Sequence, residues 1–254
     1  VNQVGTILDM EPPSPTSDPP PREPGFELPP GLLQRFLDNG ERRDSLVLVI
    51  AEWVAKEIIT GSLLPGADLN SVDLAARFST SRTPVREALN LLDREGLIEL
   101  TARRRPRVAT LDAGQIESAY HLLSNLFGMV AEEVASKSDG TDLSPLDVQM
   151  QRMQVAYRTN DVDSYFWANV DFHDTCGEIA DNSMLKRTVD SLGLRVLRFR
   201  HRTLTVPGQL KPSVDDHARL LRAFRERDIE LAGALSRSLV RHSLRTLQGT
   251  IGRE

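Results

Sequence analysis

Residues 81–97, Ser-Arg-Thr-Pro-Val-Arg-Glu-Ala-Leu-Asn-Leu-Leu-Asp-Arg-Glu-Gly-Leu, read as a helix with two opposed faces. Val85, Ala88, Leu89 and Leu92 recur at i, i+3, i+4 and i+7, a stripe fit for a core. Arg82, Arg86 and Asn90 recur every fourth residue on a separate polar stripe. Thr83 before Pro84 is a start signal, because Thr caps and Pro suits the first turn, and Gly96 ends the helix. A helix that buries one face and projects Arg and Asn from the other carries the side chains that read base edges: Arg pairs bidentately with guanine and Asn with adenine. The plain alternative for this segment alone is a surface helix with solvated arginines.

Its neighbours favour DNA. Leu46, Val49, Ile50, Trp53, Val54 and Ile58 mark a helix over 46–60 that stops at Gly61, and Leu64-Pro65-Gly66 makes a tight turn. Ser71 is positioned to cap a short helix from Val72 to Phe78, and a three-residue turn, Ser79 to Ser81, leads into the arginine helix. Two short helices joined this way match a helix-turn-helix. Residues 97–100 and 107–110 read as two strands, and Thr101 to Pro106 form a hairpin with Arg103, Arg104 and Arg105 at its tip: a wing. Residues 77–107 hold eight Arg against four acids, on a chain of formal net charge −5. Positive charge is therefore focused on one surface, and three adjacent arginines at a loop tip suit phosphate contacts or minor-groove entry.

This order of motifs, Gly61-Ser-Leu-Leu-Pro-Gly66, Leu74-Ala-Ala-Arg-Phe78, Ser81-Arg-Thr-Pro-Val-Arg-Glu-Ala-Leu89 and Glu95-Gly-Leu97, resembles the winged-helix domain of the GntR family of bacterial transcription regulators over about 46–110. The resemblance implies operator contacts by Arg82 and Arg86, with Thr83 near phosphate. Two places depart from the family pattern: Val72 stands where an Arg is frequent, and the wing tip is Arg-Arg-Arg-Pro rather than Gly-bearing.

At 254 residues the chain has room for two cores. No apolar run approaches the roughly 20 residues of a membrane helix, and no charged start with an apolar core suggests export; a cytoplasmic protein with no membrane partner is expected. The single cysteine, Cys176, allows no internal disulfide and reads as a small buried apolar residue. Nine of the 15 prolines fall between Pro12 and Pro30, and residues 1–40 carry six acids against two Arg. Proline removes donors and locks φ, so 1–31 reads as a disordered arm, with a short helix around Leu32, Leu33, Phe36 and Leu37.

Beyond residue 112 the periodicity is helical: 113–137, 142–159, 161–180, 183–204, 213–226 and 228–248, with a break at Pro207-Gly208 and Pro212. The expected fold class is therefore mainly α, with an arm over 1–40, a winged helix-turn-helix domain over 41–111 and an all-α helical bundle over 112–254. Three histidines stand out in the bundle. His173 lies one turn from Asn169, His217 follows Asp215-Asp216, and His242 sits in the last helix. Imidazoles on separate helices can converge on one metal ion; three unrelated surface or capping histidines fit the spacing too.

Asn169, Phe172-His173, Ala180, Asn182, Leu185, Asp216-His217, Ala223, Asp228, Ala232 and His242 together are similar to the effector domain of the GntR subfamily that includes fatty-acid-responsive and gluconate-responsive regulators. The resemblance implies a divalent metal, Zn²⁺ or Ni²⁺, held by Asn169, His173, His217 and His242, with a small carboxylate effector completing its shell. Asn169 stands where Asp is common, which removes a negative charge and weakens metal binding. Leu123 and Phe127 stand where members often have Arg and Glu, which makes that wall less polar. Arg195, Arg198 and Arg202, at helical spacing, are candidate replacement cations for the effector, or else a solvated face; His121 and His201 read as surface or packing residues. The implied protein is a homodimeric regulator of double-stranded operator DNA, most simply a repressor, because two-fold protein symmetry mirrors a pseudo-palindromic site. Two other readings of the bundle are a dimerisation module with an empty pocket and a metal-dependent hydrolase. The second lacks a carboxylate at motif spacing as general base.

Overall fold

The computed structural model describes residues 45–251, so the proline-rich arm and the short helix expected after it lie outside the described residues. Among the described residues three helices come first: α1 (Ser45–Ile59), α2 (Ser71–Arg77) and α3 (Arg82–Arg94). Ile50, Ala51, Val54 and Ile58 of α1 meet Val85, Ala88, Leu89 and Leu92 of α3 in one core. The Arg77 guanidinium lies over the Trp53 ring, 4.1 Å from its centroid, and holds α2 against α1.

The helix starts differ from the sequence expectation in an instructive way. Asn70, not Ser71, caps α2, its side chain accepting from the Val72 amide at 3.0 Å. Ser81, not Thr83, precedes α3, which places Pro84 at the third helical position. The amides of a first turn have no intrahelical acceptor, so a proline there forfeits no hydrogen bond. The same rule moves a second boundary: Pro212 lies at the third position of α8 (Leu210–Glu226) and does not break it.

The strands β1 (Ile98–Glu99) and β2 (Arg107–Val108) pair antiparallel, Ile98 opposite Val108 and Glu99 opposite Arg107. They are shorter than expected because side chains take the next backbone donors: Asp93 accepts from the Leu100 amide and Glu99 from the Thr110 amide. Arg107 pairs with Asp68 at 2.6 Å and ties the wing to the loop before α2.

Among the described residues six helices follow: α4 (Ala113–Lys137), α5 (Ser144–Thr159), α6 (Val162–Ile179), α7 (Ser183–Thr205), α8 and α9 (Ile229–Ile251). Asp112 and Gln115 form a reciprocal capping box that starts α4. The fold is mainly α, a winged helix-turn-helix followed by a helical bundle. Phe127, Val130 and Val134 of α4 pack with Phe172 of α6, Phe224 of α8 and Leu247 of α9 in the bundle core, which also holds the buried Cys176.

The two halves are not separately packed. Phe166, Trp167 and Val170 of α6 and Leu194 and Leu197 of α7 belong to the same buried cluster as α1 and α3. Helix α6 therefore buries nearly its whole circumference, with one side in the bundle and the other against the winged helix. Gly96 permits a further contact. Its φ of +71° suits glycine, and a Cβ there would meet the Arg195 guanidine nitrogen at 2.9 Å.

Candidate functional site

The arginine helix presents the two faces its sequence implies. Val85, Ala88, Leu89, Leu91 and Leu92 are buried, while Arg82, Thr83, Arg86 and Asn90 are exposed. Residues 82 to 90 rise about 12 Å along the axis, comparable with the major-groove width of about 12 Å. Arg103, Arg104 and Arg105 are exposed at the wing tip, where Arg103 adopts φ +64° and the Arg104 amide donates to the Thr101 carbonyl at 3.1 Å. Val72 is 55% exposed in the first turn of α2.

A second site lies inside the bundle. A cavity of about 70 Å³ opens between α4, α6, α7, α8 and α9. The structure brings Asn169, His173, His217 and His242 to its wall together with Arg200, which the sequence reasoning missed. Leu123 and Phe127 form an apolar side, and the Arg200 guanidinium lies 5.6 Å from the Phe127 ring centroid.

The polar groups form a directed chain. Arg200 Nη2–H donates to Asn169 Oδ1 at 2.9 Å. Arginine has only donors, so the amide oxygen must face it and the amide nitrogen must face His217, donating to Nε2 at 2.8 Å. His217 Nδ1–H then donates to the Ser213 carbonyl at 2.7 Å. His173 Nε2 stands 3.1 Å from His217 Nε2, and the Phe127 and Phe172 rings pack against the His173 imidazole. Burial pushes the His173 pKa well below its usual value, helped by His217 and Arg200. Burial likewise pushes His217 down to about 4, against the opposing hydrogen bond to Ser213. Burial thus favours the neutral form of both imidazoles. Burial also lowers the Arg200 pKa, though a guanidinium stays charged. Tyr120, 1% exposed, has its pKa raised by burial to about 12.

The three arginines expected at the effector are elsewhere. Arg195 Nη2 donates to the Arg94 carbonyl at 3.4 Å, and Arg198 Nη1 donates to the Ala109 carbonyl at 2.7 Å. Both bind the DNA-binding half, and Arg202 is not part of the cavity wall. A residue two positions from Arg198 is turned roughly 200° around the helix, and that brings Arg200 to the cavity. The signal for it was present: Val189, Val196 and Arg200 continue one stripe at seven and four residues, and both valines are in the bundle core. Of the remaining histidines, His121 is exposed beside Glu117, and buried His201 bonds Asp163 at 2.7 Å and packs on Phe166.

The donor set as arranged does not fit a divalent metal. Asn169 turns its oxygen to Arg200 and an N–H to the imidazoles, His217 Nε2 already accepts from that amide, and His242 Nε2 is engaged with Gln209 Oε1 at 2.9 Å. A cation here would also face Arg200; two like unit charges 4 Å apart repel by about 4 kcal/mol at an effective dielectric of 20, and a divalent ion doubles that. Among the described residues no group of three or more His, Cys, Asp or Glu is set to hold a metal ion.

A two-faced arginine helix in a winged helix-turn-helix, joined through a shared core to an all-helical domain, is the architecture of a DNA-binding transcription regulator. Residues 46–108 match the family described as bacterial regulatory proteins, gntR family, and residues 117–242 match the FCD domain. The chain belongs to the GntR family, in the branch with an FCD domain. It is 24% identical over 187 residues to the HTH-type transcriptional repressor RspR of Escherichia coli K12, covering 74% of this chain and 81% of that protein. It is 28% identical over 172 residues to the gluconate operon transcriptional repressor of Bacillus subtilis 168, covering 68% and 70%. The structure of E. coli McbR/YncC shares the fold, with a TM-score of 0.74 at 21% identity, covering 82% of this chain and all of that one. Among the described residues no helix is long and apolar enough to cross a membrane.

Proposed function

We propose that this regulator binds a pseudo-palindromic operator as a homodimer, represses from it, and changes its affinity when a small carboxylate enters the bundle cavity. Arg82, Arg86 and Asn90 read base edges, Thr83 contacts phosphate, and Arg103, Arg104 and Arg105 hold the flanking backbone or minor groove. What supports this is their exposure on one polar stripe and one loop tip.

The observation that carries the regulatory half is the double duty of α6 and α7. Asn169, His173 and Arg200 line the cavity, while Phe166, Trp167, Val170, Leu194 and Leu197 on the same two helices pack into the winged-helix core. Any shift of these helices on ligand binding therefore moves the surface that seats the DNA-binding domain. Arg198 reinforces this seat through the Ala109 carbonyl, just after β2. For the ligand to act, it must favour one placement of that domain over another. A 100-fold change in operator affinity needs about 2.7 kcal/mol of such coupling. One relative is a gluconate operon repressor, and gluconate is itself a carboxylate.

The test is a binding titration of the full chain on promoter fragments and random duplex, with and without a series of carboxylic acids. Preference for one fragment, altered by one class of acid, supports the proposal. Equal affinity for all duplexes under every condition sinks it.

A further inference from the structure

Within the bundle cavity, one cation has no carboxylate among its hydrogen-bond partners in the described residues. Among the described residues Arg200 is the only Arg or Lys lining the cavity. Its one hydrogen bond among the described residues goes to a neutral amide, Asn169 Oδ1, and one of its faces meets the Phe127 ring. Asp216, the single carboxylate on the wall among the described residues, pairs with Arg219 at 3.1 Å. A second polar group also faces the cavity. The Tyr120 hydroxyl is buried and lines the same wall, with the Ser243 hydroxyl and the Arg200 guanidinium beside it. A tyrosine hydroxyl both donates and accepts, so beside Ser243 it keeps hydrogen-bonding capacity for a group entering the cavity. Leu123, Leu239 and Val240 form an apolar side that suits a short hydrocarbon body, while Thr203, Ser243 and Thr246 add hydroxyls to the wall.

We propose that the cavity is a metal-independent carboxylate site, in which the Arg200 guanidinium supplies the ligand's countercharge and the Tyr120 hydroxyl its second donor. This rests on the reading of the cavity as the effector site and names the group that holds the ligand there. Asn169 is then a positioning residue. Its amide orients the guanidinium by accepting from it and leaves the positive charge unneutralised, which an aspartate would not. Charge-assisted hydrogen bonds from a desolvated arginine are the stronger kind, so the site needs no bound cation to attract an anion.

The experiment is isothermal titration of the full-length chain, in excess EDTA, with acetate, butyrate and benzoate as probes, followed by thermal shift under the same conditions. At least one probe is expected to bind the EDTA-treated wild type, and adding Zn²⁺ or Ni²⁺ leaves its affinity within about twofold. Arg200→Gln weakens that probe by about 10- to 100-fold, and Tyr120→Phe, which keeps the ring and its packing, by about fivefold. Arg195→Ala, on the far side of α7, leaves binding unchanged and controls for general damage.

Asn169→Asp separates this site from a metal site most sharply. It places a carboxylate against Arg200 and is expected to abolish probe binding in EDTA. If wild type binds a probe only with added Zn²⁺ or Ni²⁺, and Asn169→Asp then strengthens binding, the metal-independent site is overturned while the effector reading survives. If no probe binds wild type with or without metal, both fall. Should Arg200→Gln fail to fold, Tyr120→Phe and Asn169→Asp decide between the same outcomes.

Discussion

The DNA-facing helix and the bundle cavity treat their arginines in opposite ways. On α3, Arg82 and Arg86 stand in solvent without a partner among the described residues, backed by an unbroken apolar face. In the cavity, Arg200 is half-buried and oriented by Asn169, and the wall's one carboxylate among the described residues, Asp216, pairs with Arg219 instead. An exposed guanidinium is screened by salt and gains chiefly from a polyanion that releases counterions. A desolvated one is weakly screened and discriminates among single small anions. One residue type thus serves two recognition tasks, and burial decides which.

The comparison breaks first where the two regions meet. Trp167 is fully buried between α6 and the winged helix, so Trp167→Ala is expected to cost about 3–5 kcal/mol of stability, read by urea unfolding. If the halves are independent, only one of two transitions shifts; the shared core implies that both do. Next comes the reading helix. Arg86→Ala is expected to weaken the preferred fragment by up to about 100-fold while the melting temperature stays put, since the side chain is exposed. A footprint unchanged by this substitution removes Arg86 from the interface.

Arg198→Ala sharpens the seat between the regions. It deletes the bond to the Ala109 carbonyl and is expected to reduce the ligand's effect on operator affinity by about tenfold, with ligand affinity itself nearly intact. The smallest effect is electrostatic. Replacing Arg103, Arg104 and Arg105 together is expected to flatten the plot of log affinity against log salt by about 3, if each neutralises one phosphate. Carboxylate binding in the same buffers is expected to change little with salt, which is the direct measure of the contrast between screened and desolvated arginines.

How legible each region is in the sequence follows from the same contrast. The stripes of α3 show because a helix with one wet and one dry side displays its period: Val85, Ala88, Leu89 and Leu92 against Arg82, Arg86 and Asn90. Helix α7 has two dry sides, one toward the bundle through Val189 and Val196 and one toward the winged helix through Leu194 and Leu197. Periodicity alone does not say which of them borders a cavity, so the helical spacing of Arg195, Arg198 and Arg202 drew attention to them and passed over Arg200. The convergence of Asn169, His173, His217 and His242 on one cavity was visible through motif resemblance, not spacing. The direction of the hydrogen bonds among them was not, because it depends on Arg200 and on the Ser213 carbonyl. Helix starts misled where Pro84 and Pro212 occupy the third helical position, a place proline tolerates as readily as the first.

The most direct single test of the coupling between cavity and operator is a fluorescence-anisotropy titration of the full chain on its preferred fragment in EDTA, with and without a saturating carboxylate that raises the melting temperature. Operator affinity is expected to change by about 100-fold for wild type, corresponding to about 2.7 kcal/mol, and not at all for Arg200→Gln. An unchanged affinity in wild type, at a ligand concentration shown by calorimetry to fill the site, would contradict the claim that α6 and α7 carry the signal from Arg200 to α3.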